Sequence, residues 1–178
     1  MFFSSLIRWF YCLPVSTVLL ATVFAVFLFF QVRKILSHSV WWPWGCLLFL
    51  LFWTGCVLWM TLFSRGPVPE PVPPEPLLQS YRKMLREQNP EILRSNFMNL
   101  LLFFPAGVLL AQLLPRAWPK GLRFAAAVLM LVLFSGGIEY FQYRHHLGQA
   151  EADDILHNGA GALLGVLSDQ LFSYSSAQ

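Results

Sequence analysis

The sequence predicts an all-α, multi-pass transmembrane bundle of about five spans with one short amphipathic surface helix. Three observations predict it. Of 178 residues, 57% are hydrophobic and only 12% charged, outside the usual range for a soluble domain of this length. Charge-free runs recur at about the 20 residues a helix needs to cross the hydrocarbon layer. Seventeen Phe and seven Trp suit helices that pack through aromatic rings and anchor at headgroup depth. The formal charge of +3, dispersed among apolar runs, leaves no electrostatic footprint for a nucleic-acid partner. Cys12, Cys46 and Cys56 lack CxxC or Cys/His spacing and read as small packing residues.

The first run, Trp9 to Val32, follows Arg8. It is too long for a signal peptide and lacks a small-x-small cleavage site, so a membrane anchor is expected. With the basic connection up to Ser39 it makes an additional N-terminal unit, residues 1–39. The second run, Val40 to Ser64, opens a main transmembrane domain over 40–171, and 172–178 is a polar tail. RGPVPEPVPPEP, Arg65 to Pro76, heads a proline-rich loop over 65–95. Its near-alternating prolines exclude helix and sheet and predict an extended polyproline stretch.

LLQSYRKMLREQ follows. Leu77, Leu78, Tyr81, Met84 and Leu85 share a helical face and Arg82, Lys83 and Arg86 lie off it, the pattern of a helix lying on a membrane surface or packing on its own bundle. The third span, Ser95 to Pro115, carries Pro105, which predicts a kink or a freed carbonyl that another helix must satisfy. The fourth and fifth runs, Phe124 to Ile138 and Ile155 to Ser168, fall short of the roughly 30 Å of a bilayer core at 1.5 Å per residue. Tilt, local thinning or charges drawn to the hydrocarbon edge would make up the difference. Arg123 can snorkel. Glu139 and Asp154 have shorter side chains and are expected to face protein, water or a partner.

Four of the nine acids, Glu139, Glu151, Asp153 and Asp154, crowd the junction of the last two runs. Alternation of spans puts this junction and the proline-rich connection on one side. It also brings Asn96 and Asn99, Glu139 and Gln142, and Asp154 and Asn158 to the same leaflet edge. Each pair is spaced i,i+3 or i,i+4, hence on one helical face. Below Asp154 and Asn158, that face continues into Gly161 and Gly165, a GxxxG stripe that permits close helix approach. A shallow polar pocket of Asn99, Glu139, Gln142, Asp154 and Asn158 is expected, held by packing at Pro105, Gly107, Gly161 and Gly165. The competing reading is a set of interhelical hydrogen bonds with no ligand.

Asn99-Leu-Leu-Leu-Phe-Phe-Pro105-Ala-Gly107, then Glu139-x-x-Gln142, then Asp154-Ile-Leu-His-Asn158-Gly-Ala-Gly161-Ala-Leu-Leu-Gly165 resemble the pattern of the VanZ-like membrane proteins. The resemblance runs from about Trp53 to Leu171, so the last four spans are VanZ-like and the first is an addition. It implies a multi-pass protein of the bacterial inner membrane, linked to resistance to glycopeptide antibiotics, teicoplanin in particular. That pattern commonly carries an arginine where this chain has Gly148. Arg144, His145 and His146 are the nearby candidates to replace it.

Orientation follows from charge. A plain count of Lys and Arg would put the proline-rich side in the cytoplasm. The short connections, with Arg33, Lys34, Arg116, Lys120 and Arg123 and no acid, weigh more directly in the positive-inside rule. With the resemblance, they place the acidic junction outward.

The leading functional expectation is a pocket that binds or shields a lipid-linked or peptidoglycan-related envelope ligand. An alternative is an intramembrane enzyme in which Glu139 or Asp154 is general acid or base and Asn99, Gln142 or Asn158 orients substrate. No nucleophile elbow or HExxH motif accompanies it. An accessory subunit of a membrane complex is a further alternative, through the glycine seam and the proline-rich segment; the lack of an inverted repeat argues against a self-contained transporter. His145, His146 and His157 with Glu151, Asp153 and Asp154 match no tight ligand spacing, so neither a metal nor another cofactor is expected.

Overall fold

The computed structural model describes residues 15–63, 65–68, 73–88 and 90–175. The expectations for Cys12, for the start of the first run and for the end of the tail lie outside them. Among the described residues six helices follow in order: α1 (Val15–Leu36), α2 (Trp42–Leu58), α3 (Gln79–Glu87), α4 (Pro90–Leu113), α5 (Lys120–His145) and α6 (Ala152–Ser175). A π-helical turn, Trp59–Phe63, extends α2. Two compact units divide the chain, Met1–Trp42 and Pro43–Gln178. In the first, α1 stacks Phe29 edge-on against Phe30, with centroids 5.4 Å apart, and places it 5.6 Å from Trp42.

Among the described residues, three helical stretches are long and apolar enough to cross a membrane: Trp42–Phe63, Glu91–Leu113 and Lys120–His145. The fourth run proves longer than its uncharged part. With 26 residues, α5 extends to about 39 Å, continuing through Glu139, whose side chain is buried. Length therefore requires neither tilt nor thinning here. The final helix, α6, has 24 residues but carries Asp153, Asp154, His157, Asn158 and Asp169, all but Asp154 buried. It spends its polar side chains on neighbouring helices.

Among the described residues, helices α4 and α6 form the most extensive pair. Glycine makes it possible. A Cβ on Gly161 would stand 2.0 Å from the Leu100 carbonyl oxygen, on Gly165 2.2 Å from that of Phe104, and on Gly107 2.4 Å from that of Ala162. The two backbones touch along the predicted GxxxG stripe, with Gly107 as the answering notch on α4. The pair is bolted at both ends, by Asn99 to Asp154 and by Gln112 to Asp169. These matched contacts run in the same chain direction, so α4 and α6 are parallel, as alternation of spans requires. Helix α5 packs against both, through Phe103 and Phe134 with centroids 6.0 Å apart and a core of Ala106, Leu110, Ala127, Leu131, Ala162 and Val166.

Pro105 does not interrupt α4, which runs unbroken to Leu113. Its missing N–H frees the carbonyl of Leu101. The neighbouring Leu102 carbonyl accepts a hydrogen bond from the Trp53 indole of α2 at 2.8 Å. That bond ties α2 to α4 one residue beyond the freed carbonyl.

Residues 69–72 of the proline-rich segment lie outside the described residues, and among the described ones Glu75 departs from expectation. Glu75 forms an isolated parallel bridge with Glu151, its N–H donating to the Ala150 carbonyl and its carbonyl accepting from the Ala152 N–H. Excluding all sheet pairing overlooked that Glu75, lying between prolines, keeps a free N–H. Val68 likewise donates to the His146 carbonyl. The proline-rich connection is laced onto the acidic one.

Candidate functional site

The acidic junction divides its carboxylates between two tasks. Asp153 faces α3, where its oxygens accept from the N–H of Leu78 at 2.5 Å, the N–H of Ser80 at 2.7 Å and the Ser80 hydroxyl at 2.7 Å. Leu78 is the N-cap of α3 and brings no side-chain cap of its own. A carboxylate from a distant helix supplies it. One turn on, His157 Nε2 pairs with the Tyr81 hydroxyl at 2.8 Å. Asn96 donates to the Ser80 hydroxyl at 3.3 Å, so it serves α3 and not the predicted pocket. Helix α3 therefore packs on its own bundle through Ser80 and Tyr81, whereas Leu77, Leu78 and Leu85 are exposed.

The next residue around α6 turns inward to α4 and α5. Asp154 Oδ1 accepts from Asn99 Nδ2 at 2.6 Å. Glu139 Oε2 accepts from the backbone N–H of Glu151 at 2.9 Å. Asp154 lies within electrostatic reach of both Glu139 and Glu151, and Glu75 within reach of Glu151. Burial, with Asp154 and Glu75 beside it, pushes the Glu151 carboxyl up to about 7. Lys83 forms an ion pair with Glu75, and that hydrogen bond holds its ammonium above the ordinary pKa.

Gln142 and Asn158 flank this group. Gln142, 1% exposed, donates through Nε2 to the Thr61 carbonyl at 3.0 Å, one of the carbonyls left open at the end of the α2 extension. Asn158 donates to the Ser135 hydroxyl at 2.9 Å. Gln142 Oε1 and Asn158 Oδ1 are buried and receive no hydrogen bond from any described residue. Two amide acceptors without donors therefore accompany Glu139 and Asp154. Such groups are costly when buried.

The residue that sequence reasoning missed is Arg65. Its Nη1 stands 3.4 Å from where a Cβ on Gly148 would lie, and Gly148 has φ +93°. Its guanidinium acts on Glu139, Glu151 and Asp154 alike. The positive charge at Gly148 thus comes from the proline-rich connection. Arg144, His145 and His146, the nearby candidates, are all exposed. No local pattern could have found Arg65, because its neighbours in the fold lie more than seventy positions away.

Among the described residues, no group of three or more His, Cys, Asp or Glu is placed to hold a metal ion. The hydroxyls beside the site are engaged: Ser135 accepts from Asn158, and Thr61 donates to the Val57 carbonyl at 2.8 Å.

Fold and site define a helical bundle of membrane type that gathers carboxylates, amides and one arginine at a single end of three packed helices. The chain belongs to the VanZ/LLP1 family, whose model matches residues 46–172. No curated protein and no solved structure matches it.

Proposed function

We propose that the end of the bundle built by Asn99, Glu139, Gln142, Asp154 and Asn158, with Arg65 above it, binds the polar part of a lipid-linked or peptidoglycan-related ligand at the outer leaflet edge of the bacterial inner membrane. Binding or shielding that ligand would lower access of glycopeptides such as teicoplanin, the link the family suggests. One observation carries the reading. Gln142 Oε1 and Asn158 Oδ1 are buried acceptors that no described residue supplies with a donor. A ligand rich in hydroxyl, amide or amine N–H groups would satisfy them, while Arg65 would meet an anionic group on the same molecule.

The test is protection. In a sensitive host where the parent protein raises the inhibitory concentration of teicoplanin, the pair Glu139→Gln and Asp154→Asn should abolish the increase, with membrane insertion unchanged by fractionation. Full protection by that inserted variant would refute the proposal.

A further inference from the structure

A concave site lies at the other end of the bundle from the acidic junction. Asp154 and Asp169 are fifteen residues apart on α6, which puts the two ends about 22 Å from each other along its axis. There the end of α4, the start of α5 and the last turns of α6 enclose a cavity of about 340 Å³ whose lining includes Lys120, Arg123, Phe124, Val166, Asp169 and Leu171.

Its chemistry is two-sided. Lys120 and Arg123 are i and i+3 on the first turn of α5, hence neighbours on one face. Arg123 reaches across to α4, where Nη2 donates to the Ala111 carbonyl at 2.9 Å, and this fixes its guanidinium at the cavity. Its Nε is buried and donates to no described residue. Asp169, the acid of the lining, is buried and accepts from Gln112 of α4. Phe124, Val166 and Leu171 supply its apolar lining. Trp118, exposed just before α5, is of the type that marks headgroup depth.

We infer that this cavity is a binding site for an anionic phospholipid of the surrounding bilayer. The phosphate sits between Lys120 and Arg123, and an acyl chain lies along Phe124, Val166 and Leu171. A free phosphate would use the cations and leave the apolar wall unfilled. A zwitterionic lipid would bring its own ammonium against Lys120. An anionic headgroup with a chain attached uses both the cations and the apolar lining, while the Asp169 carboxylate accepts from Gln112 of α4.

Native mass spectrometry of the full chain, released from detergent with equal amounts of phosphatidylglycerol and phosphatidylcholine added, tests this directly. The parent should retain phosphatidylglycerol preferentially. Lys120 is exposed, so Lys120→Gln leaves the fold intact and should weaken retention about fivefold, the worth of one interfacial charge. Lys120→Arg should keep it. Arg123→Gln should weaken it further, and Arg86→Gln on α3 should have no effect. Equal retention of the two lipids, unchanged retention by Lys120→Gln, or displacement by millimolar inorganic phosphate without loss on removing the acyl chains would each overturn the inference. The readout does not involve glycopeptides, so it stands or falls apart from the function proposed for the acidic end.

Discussion

Gly161→Ala is the sharpest perturbation of the fold that carries the acidic site. The new methyl carbon would lie 2.0 Å from the Leu100 carbonyl oxygen, where an ordinary carbon–oxygen approach is about 3.3 Å. Helices α4 and α6 must therefore separate by more than an ångström, and the obstacle is backbone that no rotamer change can move. Overpacking of this kind costs about 1–3 kcal/mol, and the rigid obstacle puts it near the upper end. Alanine regains about 1 kcal/mol of helix propensity, leaving a net loss of about 2 kcal/mol. For a chain of this size that lowers the melting temperature by about 4–8 °C. Gly137→Ala in α5 is the control, since its added methyl meets nothing within 4 Å and propensity alone should raise the midpoint. Thermal melting of parent and both variants in one detergent makes the comparison. A Gly161→Ala protein that melts at or above the parent would refute the close approach of α4 and α6.

Other predictions follow from single contacts. Asp153→Ala strips the cap from α3 and leaves the Leu78 and Ser80 N–H groups unpaired, at a cost of about 2–3 kcal/mol to its docking; hydrogen exchange of the α3 amides should accelerate, with Asp153→Asn between the two. Gly148→Ala forces an L residue into φ +93° and should cost about 1–2 kcal/mol in thermal melting, whereas Gly45→Ala, in open space, should not destabilise. Glu151 gives a pH signature. Its carboxyl is raised from 4.5 to about 7, so between those values the folded protein holds a proton that the unfolded chain has lost. Its contribution is most favourable below pH 4.5, declines as pH rises to 7, and is a constant penalty above. Glu151→Gln should therefore gain stability over the parent at pH 8 and lose that advantage at pH 4.5, as denaturation at the two pH values will show.

What could be read from the chain beforehand was whatever depends on local period. The apolar runs of α2, α4 and α5, the amphipathic α3 and the Gly161–Gly165 stripe are each visible within a few turns of sequence. Asp154 and Asn158, spaced i,i+4 on α6, bond different helices, Asn99 of α4 and Ser135 of α5. Reading the fourth run as too short treated Glu139 as a boundary, because a charge on a buried helix face looks the same in sequence as one at a membrane edge. Long-range assignments were out of reach for a different reason. Adjacent acids Asp153 and Asp154 point about 100° apart around the helix, and nothing local says that one serves α3 and the other α4. Arg65 sits in a proline-rich stretch without periodicity, so its place over Gly148 depends on the backbone bonds from Val68 and Glu75 to the acidic connection.

Helices α4, α5 and α6 hold their carboxylates and amides as one group, and the part-buried Asn99–Asp154 hydrogen bond joins α4 to α6 within it. A double-mutant cycle of Asn99→Ala and Asp154→Ala, read by unfolding in a lipid or detergent host, measures that bond directly. The two losses should be non-additive by about 0.5–1.5 kcal/mol. Strict additivity would mean that Asn99 and Asp154 do not meet, and the polar site described here would not exist.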